Sequence, residues 1–195
     1  MQGHTDVELD PEGHEQARRV ANRLALELTT APLQAVYCSD LLRARYTAEA
    51  VAAPFGLPLI ITPLLRETML GEWEGLTQEE IEARGDAELL RLYREDSYRN
   101  RPPGAETMDQ VWDRLTRIGA EIRAAHPDGN VAVVGHGGSL RVLLCEALDA
   151  PITSMKHIWL SNASLSIIEE AGPSDRRMLR VSLLNDTSHL DGATY

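Results

Sequence analysis

Positive charge is scarce in this chain. Its 195 residues hold 19 Lys and Arg against 30 Asp and Glu, giving a formal net charge of −11 and a pI near 5.0. Such a surface offers no basic stripe, and nucleic acid is not an expected partner. A small anionic substrate stays compatible, because arginines lining a pocket oppose the net field locally. Long apolar runs are missing too. No stretch approaches the roughly 20 residues of a membrane helix, and the opening residues Met1 to Glu8 are too polar and acidic for a signal peptide. The expected setting is cytoplasmic, without membrane contact. Only two cysteines occur. Cys38 and Cys145 lie far apart in apolar surroundings, with no metal-ligand spacing, and read as reduced core thiols. A Walker-type loop, a Gly-x-Ser-x-Gly elbow and an HExxH motif are absent, so neither a metal nor a cofactor is expected.

What is present reads as one core. With 43% hydrophobic and 25% charged residues, the whole of residues 1–195 is expected to form a single domain. Asp10-Pro-Glu12 marks a helix start, with an N-cap acid and proline at the first helical position. Leu33 to Ser39 reads as a buried strand, followed by a helix over Leu41 to Ala53 capped by Ser39 or Asp40. Leu57 to Thr62 is a further strand that Pro58 pushes towards an edge. Residues 68–104, rich in glycine, proline and charge, read as an insertion over the sheet edge, with capping-box spacing at Thr77 and Glu80. A longer helix opens at Thr107 and runs to about Ala125. Residues 163–169 and 178–184 form an expected hairpin about Gly172-Pro173-Ser-Asp175. The fold class is a three-layer α/β/α arrangement with a mixed, mostly parallel sheet. One oddity stands out: residues 1–9 contain no strand to feed the first helix.

Three places put reactive side chains just beyond strand ends. The most informative is Val131-Ala-Val-Val-Gly-His136-Gly137-Gly138, a buried strand turning sharply into a helix. Ligands bind at that edge of an α/β sheet, and helix N-termini attract anions. A structural histidine in the turn is the alternative reading. The second place is Arg43, early in the helix after Leu33 to Ser39, where its fork of donors suits a phosphate. Pairing with Asp40 or Glu49 is the bland alternative. Glu67 is the third, a carboxyl beside a Gly- and Trp-rich turn that could protonate a leaving alkoxide. A structural pair with Arg66 or Arg43 competes with that role, whereas Glu72 and Glu74 read as solvated. A phosphate-binding arginine, a strand-end histidine and a shielded acid together suit phosphoryl transfer.

The chain resembles the histidine phosphatase superfamily, the phosphoglycerate mutase-like enzymes, over nearly its whole length. The resemblance rests on five segments in order: Gln2-Gly-His-Thr-Asp6 through Gly13 to Ala17, Tyr37-Cys-Ser-Asp40-Leu-Leu-Arg43-Ala44-Arg-Tyr-Thr47-Ala48, Arg66-Glu67-Thr-Met-Leu-Gly71-Glu-Trp73-Glu74-Gly75, Pro103-Gly104-Ala-Glu106, and Val133-Val-Gly-His136-Gly-Gly138. It implies that Arg43 and His136 hold a phosphoryl group and that Glu67 is the proton donor. Gln2, Gly3 and Gly137 would line the substrate mouth. The implied substrate is a small phosphorylated metabolite; the sequence leaves the oligomeric state open, a homodimer included.

The family hallmark, an N-terminal strand ending in Arg-His-Gly whose histidine is the nucleophile, does not occur in these residues. The expectation is a sequence lacking its leading strand and a complete protein that is a metal-independent phosphomonoester hydrolase. A phosphoglycerate mutase and a non-catalytic binder of phosphorylated ligands are the alternatives. His4 and His14 follow no strand, which argues against either replacing the nucleophile. Compactness favours hydrolysis over mutase chemistry, since a hydrolase admits the water that a mutase excludes. The arginines of the insertion (Arg84, Arg91, Arg94, Arg99 and Arg101) are read first as surface charges, and second as ligands for a further anionic group.

Overall fold

The computed structural model describes residues 1–172 and 178–191. Helix α1 (Pro11–Glu27) begins as its sequence dictates, with the Asp10 carboxylate accepting from the Gly13 N–H. Strand β1 (Leu33–Cys38) then leads through a tight turn into α2 (Leu42–Ala52), and β2 (Leu59–Ile61) follows. After residues 68–104 come α5 (Met108–Ala125), β3 (Asn130–Val134) and α6 (Gly137–Ala147). The three strands are parallel in the order β2-β1-β3, which puts the Pro58-flanked strand at an edge.

Helices cover both faces of this sheet. Val20 and Ala21 of α1 and Val51 and Ala52 of α2 pack on Val36 and Cys38. On the opposite face, Val111, Leu115 and Ile118 of α5 meet Val142 and Cys145 of α6 over Tyr37, Val131 and Val133. Cys38 and Cys145 are free and buried on opposite sides of the sheet. Two helix starts carry the reciprocal bonds of a capping box: Thr107 with Gln110 at α5, and Thr77 with Glu80 at the short α3 (Gln78–Ile81). Residues 68–104 hold α3 and α4 (Ala87–Glu95) and gather a small core of their own, Leu70, Trp73, Ile81 and Leu90, with Met1 against it. The segment is tied down at Gly71, whose φ is +55° and whose missing Cβ would lie 2.2 Å from the Pro103 carbonyl oxygen. Only glycine fits there.

Strands β4 (Leu165–Ala171) and β5 (Met178–Asp186) pair antiparallel, as a two-stranded ribbon separate from the parallel sheet. Residues 173–175 of the expected turn between them lie outside the described residues. Strand β3 therefore has one partner, β1, and a second edge with no strand on it among the described residues. Its side chains are nonetheless those of an interior strand. Val131 and Val133 face one helical layer, Ala132 and Val134 the other, and no lysine, proline or bulge guards the free edge.

The start of α2 departs from the sequence expectation. Neither Ser39 nor Asp40 caps it; the Asp6 carboxylate accepts from the Leu42 N–H at 2.7 Å, from a loop 36 residues away. Asp40 is instead held by both arms of the Arg66 guanidinium, at 2.8 and 2.7 Å. The bidentate fork outcompetes a single backbone N–H for that carboxylate.

Candidate active site

Cys38 and Val134 are register partners, so β1 and β3 end side by side, and the turns leaving them open onto one edge of the sheet. Arg43, two residues into α2, reaches across that edge. Its Nη1 donates to the Thr5 carbonyl and Nη2 to the Gly3 carbonyl, both at 2.8 Å, and neither Asp40 nor Glu49 pairs with it. Burial pulls the Arg43 pKa down, against the nearby carboxylates of Glu67, Asp6 and Glu74. Carbonyl tethers orient the guanidinium but leave its charge unneutralised.

His136 is the N-cap residue of α6 and is 8% exposed. Its backbone N–H donates to the Ser139 hydroxyl, while its Nε2 is buried without a hydrogen-bond partner. Burial, followed by the electrostatic influence of Arg43, His4 and Arg114, drives its pKa down to about 3 against the opposing pull of Asp40. At neutral pH the imidazole is uncharged and short of a partner, which is a costly state for a buried polar atom.

Glu67 sits at the N-terminus of α6. Its Oε2 accepts from the Gly138 N–H at 3.0 Å, and Oε1 from Ser139 at 3.1 Å and Thr68 at 2.8 Å. Neither Arg66 nor Arg43 is its hydrogen-bond partner. The carboxylate thus occupies the anion-attracting end of the helix. Gly138 makes room for it, since a Cβ there would lie 2.2 Å from Oε1. Arg43, Glu67 and His136 are therefore brought together, with the Gly3 carbonyl and Gly137 beside them. Gln2 is exposed at the rim, its carbonyl accepting from the Thr5 N–H.

Three residues near the site carry more than sequence reasoning granted them. His4 packs its Nε2 2.8 Å from the Glu67 carbonyl oxygen. Glu74, expected to be solvated, accepts from the backbone N–H groups of His4 and Leu70 and so fixes the 2–5 loop. Arg114 donates to the carbonyls of Leu64, Arg66 and Glu67 and pairs with Glu106 at 2.8 Å. Its signal lay in α5, where it falls on the apolar stripe of Val111, Leu115 and Ile118, no place for a solvated charge. Among the described residues there is no group of three or more His, Cys, Asp or Glu placed to hold a metal ion, and no helix long and apolar enough to cross a membrane.

Residues 1–186 match the sequence model of the histidine phosphatase superfamily (branch 1), and the chain belongs to that superfamily. Phosphoglycerate mutase-like protein 4 of Arabidopsis thaliana is 40% identical over 146 residues, 73% of this chain but only 61% of that protein's length. The glucosyl-3-phosphoglycerate phosphatase of Mycolicibacterium vanbaalenii is 37% identical over 159 residues, 78% of this chain and 68% of that one. Solved structures share the mostly parallel, helix-flanked fold. The YhfR protein of Bacillus stearothermophilus superposes with a TM-score of 0.87 at 29% identity, covering 98% of this chain and 91% of that one. A mycobacterial glucosyl-3-phosphoglycerate phosphatase gives 0.82 at 30% identity, covering 95% and 91%.

Proposed function

We propose that this chain builds the phosphate-holding and proton-donating parts of a metal-independent phosphomonoester hydrolase, with residues 68–104 as its cap. The observation that carries the reading is the meeting of Arg43, the orphaned imidazole of His136 and the α6 N-terminus around Glu67, at one edge of a parallel sheet. Arg43 is a donor suited to the oxygens of a transferring phosphoryl group, while the Gly138 and Ser139 N–H groups hold Glu67 in place beside it. A neutral histidine attacks phosphorus, the P–O bond to the alcohol breaks, and Glu67 gives its proton to the departing oxygen. Water then attacks the phosphohistidine and returns a proton to Glu67, releasing inorganic phosphate and the free imidazole. On this reading the attacking histidine is carried by an Arg-His-Gly strand paired with the free edge of β3; no Arg-His-Gly occurs in these 195 residues. The named phosphatases among the relatives support hydrolysis over mutase chemistry.

Anion binding tests the cradle without needing the nucleophile. Sulfate, which carries the same charge throughout the range, should stabilise the chain against heat. A bound dianion offsets the burial and cationic repulsion that keep His136 neutral, so binding takes up a proton. Affinity should therefore rise several-fold as pH falls from 7 to 5, by at most about tenfold per pH unit for one proton. Arg43→Met should abolish the stabilisation, and His136→Gln should flatten its pH dependence. A wild-type protein indifferent to sulfate at both pH values would overturn the cradle.

A further inference from the structure

Glu67 lies in an irregular stretch, residues 66–70, between two short 3₁₀ turns, Pro63–Leu65 and Gly71–Trp73. Neither a helix nor a strand ladder fixes its main chain there, so side chains must. Both acceptor positions of the Glu67 carbonyl oxygen are filled, by Arg114 Nη2 at 3.0 Å and His4 Nε2 at 2.8 Å. A carbonyl only accepts, so His4 holds a proton on Nε2 and donates it to this bond. His4 is itself anchored. Its backbone N–H donates to Glu74 Oε1 at 2.8 Å, and the carbonyls on either side of it, Gly3 and Thr5, take the two arms of Arg43. Asp6, two residues on, caps the helix that carries Arg43. One short loop thus joins the phosphate-holding arginine to the main chain of the proton donor.

We propose that His4 is a positioning residue for Glu67, gripping its main-chain carbonyl so that the carboxyl group stays in register with Arg43. The inference rests on the phosphatase reading and deepens it. Arg114 reaches the carbonyl from α5, and His4 reaches it from the 2–6 loop. With one donor alone the carbonyl pivots about it; two donors from different elements fix its direction. The carboxylate's bonds to the Gly138 and Ser139 N–H groups, at 3.0 and 3.1 Å, depend on that direction, because hydrogen bonds weaken steeply with misalignment. His4 makes no hydrogen bond to the carboxyl group and acts through the backbone.

Amide hydrogen exchange on the 195-residue chain, followed residue by residue by NMR, reads the carboxylate's position. The Gly138 and Ser139 N–H groups are the reporters, since Glu67 is their acceptor, and Val36 and Leu115 in the two cores are controls. His4→Asn, whose amide stops short of the Nε2 position, should speed exchange at both reporters about three- to tenfold, the worth of one hydrogen bond. The controls should not change. His4→Gln, whose amide nitrogen reaches the Nε2 position, should restore protection. Reporters unmoved by His4→Asn, faster exchange everywhere, or a Gln variant no better than the Asn one would each overturn the proposal. A leaving-group comparison ties position to chemistry. In the chain supplied with an Arg-His-Gly strand, His4→Asn should lower kcat/KM for phenyl phosphate about tenfold but for p-nitrophenyl phosphate by no more than about twofold, because nitrophenolate departs without a proton. Equal losses on both substrates overturn the role. Absence of turnover before any substitution removes the phosphatase reading, while exchange still decides whether His4 holds Glu67.

Discussion

Supplying the chain with a strand that ends in Arg-His-Gly, through a linker or as a separate peptide, is expected to raise its melting temperature and switch on phosphatase activity. The free edge of β3 motivates both effects. Its side chains already contact helices on both faces, so an added strand meets an edge whose two faces are already covered. The ribbon also leaves Ile167, Ile168 and Leu184 between 37 and 45% exposed, apolar surface available for cover. Burying two or three aliphatic side chains contributes about 1.5–3 kcal/mol each, offset by the entropy of ordering the strand. A net gain of a few kcal/mol corresponds to roughly 10 °C in a domain of this size. Hydrolysis of p-nitrophenyl phosphate in the presence of a chelator should rise at least about 10³-fold, with acid-labile phosphohistidine on the added segment. A control strand ending in Arg-Gln-Gly should stabilise without turnover. Stabilisation by both strands with turnover by neither would make the chain a binder of phosphorylated ligands. No stabilisation by either strand would leave the β3 edge without its proposed partner.

Local signals carried much of the architecture. Asp10 and Pro11 start α1, Thr107 and Gln110 start α5, and the apolar run before Gly135 is the strand that delivers His136, because each rests on contacts within a few residues. Arg43 and Glu67 were legible for the same reason: each follows a strand or turn that the sequence marks. What escaped notice depends on distant pairs. Asp6 caps α2 from 36 residues away, a choice that no reading of Ser39 and Asp40 discloses, since it turns on Arg66 claiming Asp40. Glu74 is exposed by composition and bound by geometry, because the glycine at position 3 lets the chain approach within reach of its carboxylate. The insertion's arginines divide in the same way. Arg84, Arg91 and Arg99 find acids nearby, whereas Arg101 turns inward because the carbonyls of Met69 and Glu106 converge on it.

Arg114→Met is the single substitution expected to cost most in stability. Arg114 and Glu106 are 13% and 16% exposed, and the pair holds α5 against the segment that carries Glu67. Removing the guanidinium strands three carbonyls and leaves a buried carboxylate with the Met69 N–H as its remaining donor. Breaking one side of a buried ion pair costs about 3–5 kcal/mol, here roughly 10 °C in melting temperature. The pH dependence gives the cause away. Burial pushes the Glu106 carboxyl up, but the Arg114 hydrogen bond, the Met69 N–H and the Arg114 charge outweigh it and hold the pKa below the ordinary value. A depressed folded pKa contributes stability above the unfolded value near 4.5, and that contribution is lost as pH falls through the folded pKa. Without Arg114 only burial and one N–H remain, so the variant loses less on acidification than the wild type does. The stability gap between them, read by urea denaturation, should be widest near pH 7 and narrow towards pH 4. Glu106→Gln in the Arg114→Met background should recover part of the loss, because it removes the stranded charge. A gap under about 1 kcal/mol at pH 7, or one that stays constant to pH 4, would mean that the carbonyls and Glu106 find other donors and that Arg114 is not what positions Glu67.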